Sequence, residues 1–232
     1  IDSKAVLRAL RQDLTRSGVQ VLTQTEALSI DPQSKSMVIS GGGTIPGGTL
    51  QYGHLINAAG LQADRIAHAL GVGLSYHILP FKGLFWKLTA EAARRFRSSI
   101  YPAPDLNLPF LGVHITRGVS GEVLVGPTAI PALGRENYGW FQGIRPAEFP
   151  GICQDLLAMT WNNTDHFRAL VRNELGKYYF SGFLRAAQAL APEMKKEDFD
   201  SLSPAKVGLR AQLVQTQVEN QAQEQAQAQS QR

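Results

Sequence analysis

The stretch at positions 109–127, PFLGVHITRGVSGEVLVGP, constrains the fold more than any other part of the sequence. Its first half alternates in the way that is typical of a β-strand that buries only one face. The segment GVSG then allows the chain to turn back as a second strand. We therefore predict an antiparallel hairpin. One face of its first strand, the core face, carries Leu111, Val113 and Ile115, and the other carries Phe110, Gly112, His114 and Thr116.

His114 faces away from the predicted core of this hairpin. An imidazole can take up a proton near neutral pH, and the glycine at Gly112 leaves room for another group to approach the backbone. Two interpretations are open from the residue alone. One is a solvent-facing histidine on a one-sided sheet, and the other is a catalytic base.

The composition is that of a globular chain, because 44% of the 232 residues are hydrophobic and 18% are charged. The net charge of +4 is scattered along the sequence, so nucleic-acid binding is not expected. An anionic small molecule or a membrane surface fits this charge equally well. The single cysteine, Cys153, excludes an internal disulfide and a cysteine-based metal site, and we predict no metal. No apolar run is long enough to span a bilayer, and we expect a reducing, cytoplasmic compartment.

The first 75 residues combine a helix with several short strands. The helix begins at Asp2 or Ser3, which can cap it, and ends at Gly18. Strands are predicted at positions 19–22, 26–30 and 37–39. The glycine-rich segment GGGTIPGG at 41–48 has neither the dinucleotide-binding spacing nor the Gly-Lys-Ser/Thr ending of a phosphate loop, so we interpret it as a flexible connection.

Positions 54–60, HLINAAG, have the pattern of a buried parallel strand that ends in small residues. A helix is predicted over 62–70, with Gly71 as its end. A turn of small residues at the carboxyl end of a parallel strand lets a ligand approach the backbone closely, although tight packing between helix and strand also selects small residues.

The rest of the chain is strand-rich over 76–127 and helical over 150–190, and it ends in a polar, low-complexity stretch. We therefore expect an α+β or α/β fold. In this fold a partial parallel-sheet layer is joined to an antiparallel sheet with helices.

Six segments together resemble the L-2-hydroxyglutarate oxidase/dehydrogenase family, within the FAD-dependent D-amino-acid-oxidase-like superfamily. They cover most of residues 1–214 in the expected order, and the combination of the fourth, fifth and sixth is the most specific part. The segments are IDSKAVLRALRQDLTRSGVQV, HLINAAGLQADRIAHALGV, HILPFKGLFWKL, IYPAPDLNLPFLGVHITR, VLVGPTAI and SPAKVGLRAQL.

The resemblance implies a partial FAD-binding domain over 1–75, a substrate domain over 76–203 and a return segment towards the FAD domain over 204–216. The polar, low-complexity composition of residues 217–232 predicts a disordered tail. Two family features are missing from the sequence, the glycine-rich fingerprint that binds the FAD pyrophosphate and a final flavin-binding region. We therefore expect an internal fragment or the product of a truncated gene. Such a chain binds FAD poorly by itself, because it lacks the helix amino terminus that serves as the anion site.

The resemblance also implies roles for individual residues. His114 is expected to be the catalytic base, and Arg210 in VGLRAQ to be a catalytic residue that holds a substrate carboxylate. Lys206 and Lys82 are candidate substrate-binding residues, and the PFKG segment around Lys82 is expected near the flavin ring. The FAD cofactor is expected to contact the backbone at Ala27, Ala58, Ala59 and Gly60.

The expected reaction is the oxidation of L-2-hydroxyglutarate, a 2-hydroxy dicarboxylate, to 2-oxoglutarate by hydride transfer to flavin. Oxygen or a membrane quinone would accept the electrons, which leaves open a peripheral contact with the inner membrane. The alternatives are another hydroxy-acid, glycerol-3-phosphate or amino-acid oxidase of the same superfamily, or a noncatalytic remnant.

Overall fold

A computed structural model describes residues 2–42, 45–104, 111–163 and 167–215. The polar tail and Phe110 of the predicted hairpin lie outside the described residues. The chain divides into two compact units, Ile1–Tyr76 and His77–Arg232. Within the described ranges, no helix combines the length and the apolar character that crossing a bilayer requires.

The described residues of the first unit form two α-helices and one small antiparallel sheet. Helix α1 (Ser3–Arg16) begins where the side chain of Asp2 accepts a hydrogen bond from the Ala5 amide, and Gly18 follows its end with a φ of +77°. This confirms the predicted helix and both of its end signals. The sheet consists of β1 (Ala27–Asp31), β2 (Ser36–Ile39) and β3 (Gly48–Gln51), in that order.

Two predicted strands of this unit are wrong. Residues 19–22 and residues 54–60 form no strand, and Ile56 is 87% exposed. A buried parallel strand needs hydrogen-bonded neighbours along its edges, and the described strands of this unit pair only with one another, antiparallel. The predicted parallel layer is therefore not formed by the described residues, whereas the mixture of helices with antiparallel sheets is confirmed.

The segment after residue 56 is a turn that leads into helix α2 (Ala63–Ala69) through a 3₁₀ turn over Gly60–Gln62. The amide of Asn57 closes this turn. Its Nδ2 donates to the Ala63 carbonyl at 2.7 Å, and its Oδ1 accepts from the Ala59 N–H at 3.3 Å. The predicted helix after residue 62 is confirmed.

The second unit is built on a five-stranded sheet that runs β5–β6–β4–β7, with β8 also paired to β4. Its central strand, β4, is the longest, and the predicted hairpin forms β5 and β6, with His114 opposite Gly126 in the register. The strands are β4 (Tyr76–Lys87), β5 (His114–Arg117), β6 (Val123–Gly126), β7 (Ile130–Pro131) and β8 (Lys206–Gln215). The helices are α3 (Ala90–Ala93), α4 (Phe149–Asn162), α5 (Phe167–Leu175) and α6 (Phe180–Gln188).

Two apolar clusters lie on opposite faces of this sheet. Leu84 and Trp86 of β4 belong to the first cluster, with Phe183 of α6. Phe81 belongs to the second cluster, with Leu170 of α5. Because side chains alternate along a strand, odd and even positions of β4 point to different faces. We call the face that carries Phe81 the α5 face, and the face that carries Leu84 the α6 face.

Candidate active site

His114 lies at the start of β5, with its side chain on the α5 face of the sheet. Val113 and Ile115, its neighbours in sequence, are buried in the first cluster, on the other face. The core-face prediction is therefore confirmed for these two residues, but it is wrong for Leu111, which is 39% exposed. Gly112 has a φ of +80°, which breaks the strand alternation before Leu111 is reached.

The imidazole of His114 is half-buried between two aromatic rings. Its centroid lies 4.6 Å from that of Tyr101 and 6.5 Å from that of Phe85. Nδ1 lies 3.1 Å from the Gly112 carbonyl oxygen. A carbonyl can only accept, so this hydrogen bond requires the proton on Nδ1 and leaves the lone pair on Nε2.

The pKa of His114 is lowered from its usual value by burial of the ring. The hydrogen bond to Gly112 raises it by a smaller amount, and the positive charge of Arg210 lowers it. The imidazole is therefore neutral at pH 7, and its Nε2 is able to accept a proton.

Arg210 lies on β8, and its side chain faces the same side of the sheet as His114. Val214, four residues further along this strand, packs in the second cluster with Phe81, which fixes the face on which even positions of β8 lie. Burial lowers the pKa of Arg210, and the charge of Glu174 raises it. Its positive charge lowers the pKa of His114, which agrees with a placement of the two groups on one face of the sheet.

Lys206, at the start of β8, lies on the same face. The N–H of Ala205 donates to the carbonyl of Phe85 at 2.8 Å, so the backbone places Lys206 close to the residue whose ring contacts His114. Lys206 is exposed, and Gly208 follows it on the same face. A Cβ atom at Gly208 would meet no atom within 4 Å, so open space separates Lys206 from Arg210.

Lys82 lies on the α6 face and not with His114 and Arg210. Its Nζ donates to Oδ1 of Asn137 and to the Gly139 carbonyl, both at 2.8 Å, and burial lowers its pKa. The structure therefore does not bring Lys82 together with the other three predicted substrate-site residues. The sequence contained no signal for the side of the sheet on which Lys82 lies, because that side is determined by the elements that pack on β4.

Lys82 lines a cavity of about 420 Å³ that sequence analysis missed. Its polar edge is formed by Asn137, which is 1% exposed and whose amide hydrogen-bonds several carbonyls of its own loop. Trp140 and Tyr178 form an aromatic rim, with ring centroids 5.4 Å apart. Leu84 and Val207 contribute apolar wall from the β-strands, and loop residues, among them Leu133 and Pro204, complete the lining.

The four positions expected to contact FAD lie in the first unit. Ala27 begins β1 opposite Ile39 and is exposed. Ala58 and Gly60 are exposed and Ala59 is half-buried, in the turn that Asn57 closes. Gly60 has a φ of +56°, and a Cβ there would meet no atom within 4 Å. Small side chains and open space at this turn suit a cofactor that is held by backbone groups.

The FAD dependent oxidoreductase (DAO) family matches residues 1–217. L-2-hydroxyglutarate dehydrogenase of Escherichia coli (strain K12) is 30% identical over 220 residues, which are 92% of this chain and 49% of that protein. The same enzyme of Salmonella houtenae is 32% identical over 219 residues, again 92% of this chain and 49% of that protein. The chain thus spans about half the length of the curated relatives it matches.

Among solved structures, the glycerol-3-phosphate dehydrogenase from Bacillus halodurans, complexed with FAD, has a similar fold. It matches with a TM-score of 0.50 and 16% identity, over 88% of this chain and 34% of that one. This likeness supports the mixed α/β architecture, and the match over residues 1–217 assigns the family. The chain belongs to the family of FAD dependent oxidoreductases.

Proposed function

We propose that this chain forms the substrate side of an enzyme that oxidises L-2-hydroxyglutarate to 2-oxoglutarate. The observation that carries the proposal is the placement of His114 and Arg210 on the α5 face of the sheet, which follows from the clusters that their strand neighbours join. A base and a fixed cation are the groups that oxidation of a hydroxy acid requires. The identity of about 30% to dehydrogenases with this substrate, over 92% of the chain, supports the choice of substrate.

His114 is proposed as the base that accepts the proton of the substrate hydroxyl group. Its lowered pKa keeps the imidazole neutral, and the hydrogen bond from Nδ1 to Gly112 directs the lone pair of Nε2 away from the backbone. The rings of Tyr101 and Phe85 limit the orientations that the imidazole can take. A fixed orientation is what proton transfer at a defined substrate atom needs.

Arg210 and Lys206 are proposed to hold the two carboxylates of the substrate. Arg210 can bind a carboxylate with two parallel N–H donors, and Lys206 can add a single charged donor. Both side chains lie on the α5 face, and the open space at Gly208 between them offers room for the carbon chain of the substrate.

FAD is proposed as the cofactor, with backbone contacts at Ala27 and at the turn formed by Ala58, Ala59 and Gly60. The flavin, when bound, supplies the acceptor for the hydride from C2 of the substrate. We propose oxygen or a quinone as the final electron acceptor. Lys82, on the other face of the sheet, has a different proposed role: it holds the loop that contains Asn137 and Gly139.

The test is a substrate panel applied anaerobically to the protein reconstituted with FAD, with loss of flavin absorbance as the signal. L-2-hydroxyglutarate should reduce the flavin faster than L-lactate, glycerol 3-phosphate or an L-amino acid. The His114→Gln variant should bind FAD normally and reduce it at least about a hundredfold more slowly. A preference for the monocarboxylate, the phosphate or the amine would refute the dicarboxylate proposal.

A further inference from the structure

Glu174 is a buried carboxylate on α5 that none of the roles above uses. Glu174 is 7% exposed. Its Oε2 accepts a hydrogen bond from the Ala129 N–H at 2.7 Å, and its Oε1 accepts one from Nζ of Lys177. Burying a charge is costly unless it is paired, and the Ala129 N–H and the Lys177 ammonium group supply that pairing.

The periodicity of the two elements brings Glu174 and Arg210 to the same interface. Leu170 of α5 and Val214 of β8 pack in one cluster. Glu174 lies one helical turn after Leu170, on the same side of the helix, and Arg210 lies four residues before Val214, on the same side of the strand. The negative charge of Glu174 favours the protonated form of Arg210, which agrees with this placement.

The hydrogen bond to Ala129 connects Glu174 with the strand that pairs with His114. Ala129 follows β6, and Gly126 at the end of β6 is the register partner of His114. One buried carboxylate is thus bonded to the segment beside the proposed base and faces the same interface as the proposed carboxylate-binding cation.

We propose that Glu174 is a positioning residue, which holds the Arg210 guanidinium in place and aimed at the substrate carboxylate. The role of Arg210 in binding a substrate carboxylate rests on the proposed function. The link between Glu174 and Arg210 does not depend on it. A merely structural Glu174, which only fastens α5 to Ala129, is the competing explanation. The two explanations differ in whether the effect of Glu174 depends on Arg210.

The first test needs neither FAD nor turnover. The pKa of His114 is measured by NMR on the histidine-labelled chain, and its signal is identified by its loss in His114→Gln. Glu174→Gln keeps an oxygen for the Ala129 N–H but removes the charge. It should shift the pKa of His114, because the Arg210 guanidinium, whose charge lowers that pKa, is no longer held in place. Arg210→Met should raise this pKa, and adding Glu174→Gln to Arg210→Met should then change it little.

Glu193→Gln is the matched control, because Glu193 is an exposed carboxylate of the same unit. It should leave the pKa of His114 unchanged. An equal shift from Glu174→Gln with and without Arg210 would overturn the proposal, as would no shift at all in a variant that circular dichroism shows to be folded.

The second test uses turnover by the protein reconstituted with FAD. Glu174→Gln should raise KM for the 2-hydroxy acid about tenfold, with a smaller change in kcat, and Glu174→Asp should restore part of the loss. In the Arg210→Met background the same change should have little effect on KM. Additive effects on KM would overturn the positioning role. Failure of every 2-hydroxy acid as substrate would instead refute the proposed function, while the NMR result for Glu174 and Arg210 would stand.

Discussion

The ring of Tyr101 lies against the imidazole of His114, with centroids 4.6 Å apart and planes inclined by 30°. Tyr101 precedes the strand that carries His114, and Ile100, its neighbour, pairs with Ile115 through two backbone hydrogen bonds of 2.8 Å. The tyrosine is therefore held beside the histidine by the backbone. Its ring covers one side of the group that we propose as the base.

Tyr101→Ala should raise the pKa of His114 towards its usual value, because the imidazole gains access to water and burial is the main cause of its lowered pKa. The shift can be measured by NMR titration of the labelled histidine. Tyr179→Ala is the control, since Tyr179 is an exposed tyrosine of the same unit whose ring contacts Tyr178. An unchanged pKa in Tyr101→Ala would contradict the shielding role.

Folding stability should depend on pH through His114. The folded-state pKa is lowered, so the unfolded chain binds this proton more readily. The free energy of unfolding should therefore rise with pH between the lowered pKa and about 6.5, and fall as the pH decreases through that window. Urea unfolding of the wild type and of His114→Gln at a series of pH values measures this term. The contribution of His114 is the difference between the two proteins in the slope of unfolding free energy against pH. Equal slopes would refute this prediction.

Arg210→Lys should lower kcat/KM for the dicarboxylate even though the positive charge is kept. A lysine cannot reproduce the two parallel donors of a guanidinium, and hydrogen bonds to charged groups contribute about 1.5–3 kcal/mol. We expect kcat/KM to fall by about 10- to 100-fold. Arg172→Lys, an exposed position on α5, should change it less than twofold. Full activity of Arg210→Lys would exclude bidentate binding.

Lys82→Met should destabilise the second unit without affecting His114. The change leaves the buried Oδ1 of Asn137 and the Gly139 carbonyl without their ammonium donor, at a cost of about 1–3 kcal/mol. Denaturant unfolding measures this loss, with the exposed Lys196→Met as control. Because Lys82 lies on the α6 face, the pKa of His114 should stay the same. A shift of that pKa would show that Lys82 acts on the proposed site.

Local sequence patterns predicted the parts of the structure that local interactions determine. The cap at Asp2, the end of α1 at Gly18 and the burial of Val113 and Ile115 all follow from neighbouring residues. The strand prediction for residues 54–60 was wrong, because apolar residues in this pattern fit a turn as well as a buried strand. Only the availability of a hydrogen-bonded neighbour decides between the two.

The candidate site was predictable only where one strand carries it. The common face of Lys206 and Arg210 follows from their spacing on β8, and the exposure of His114 to the α5 face follows from the alternation in β5. The face chosen by Lys82 and the arrival of Glu174 beside Arg210 depend on helices that are distant in sequence. No spacing rule within one segment contains that information.

Gly208 sets the free space between the two cations of the proposed substrate site. Lys206 and Arg210 are four residues apart on one strand, so their Cα atoms are about 13 Å apart at the usual rise per residue. The two long side chains can lean towards each other over the glycine and meet the ends of a short diacid, whereas any bulkier residue at this position would stand between them. The length of the diacid that the site accepts would then depend on the absence of a side chain at residue 208.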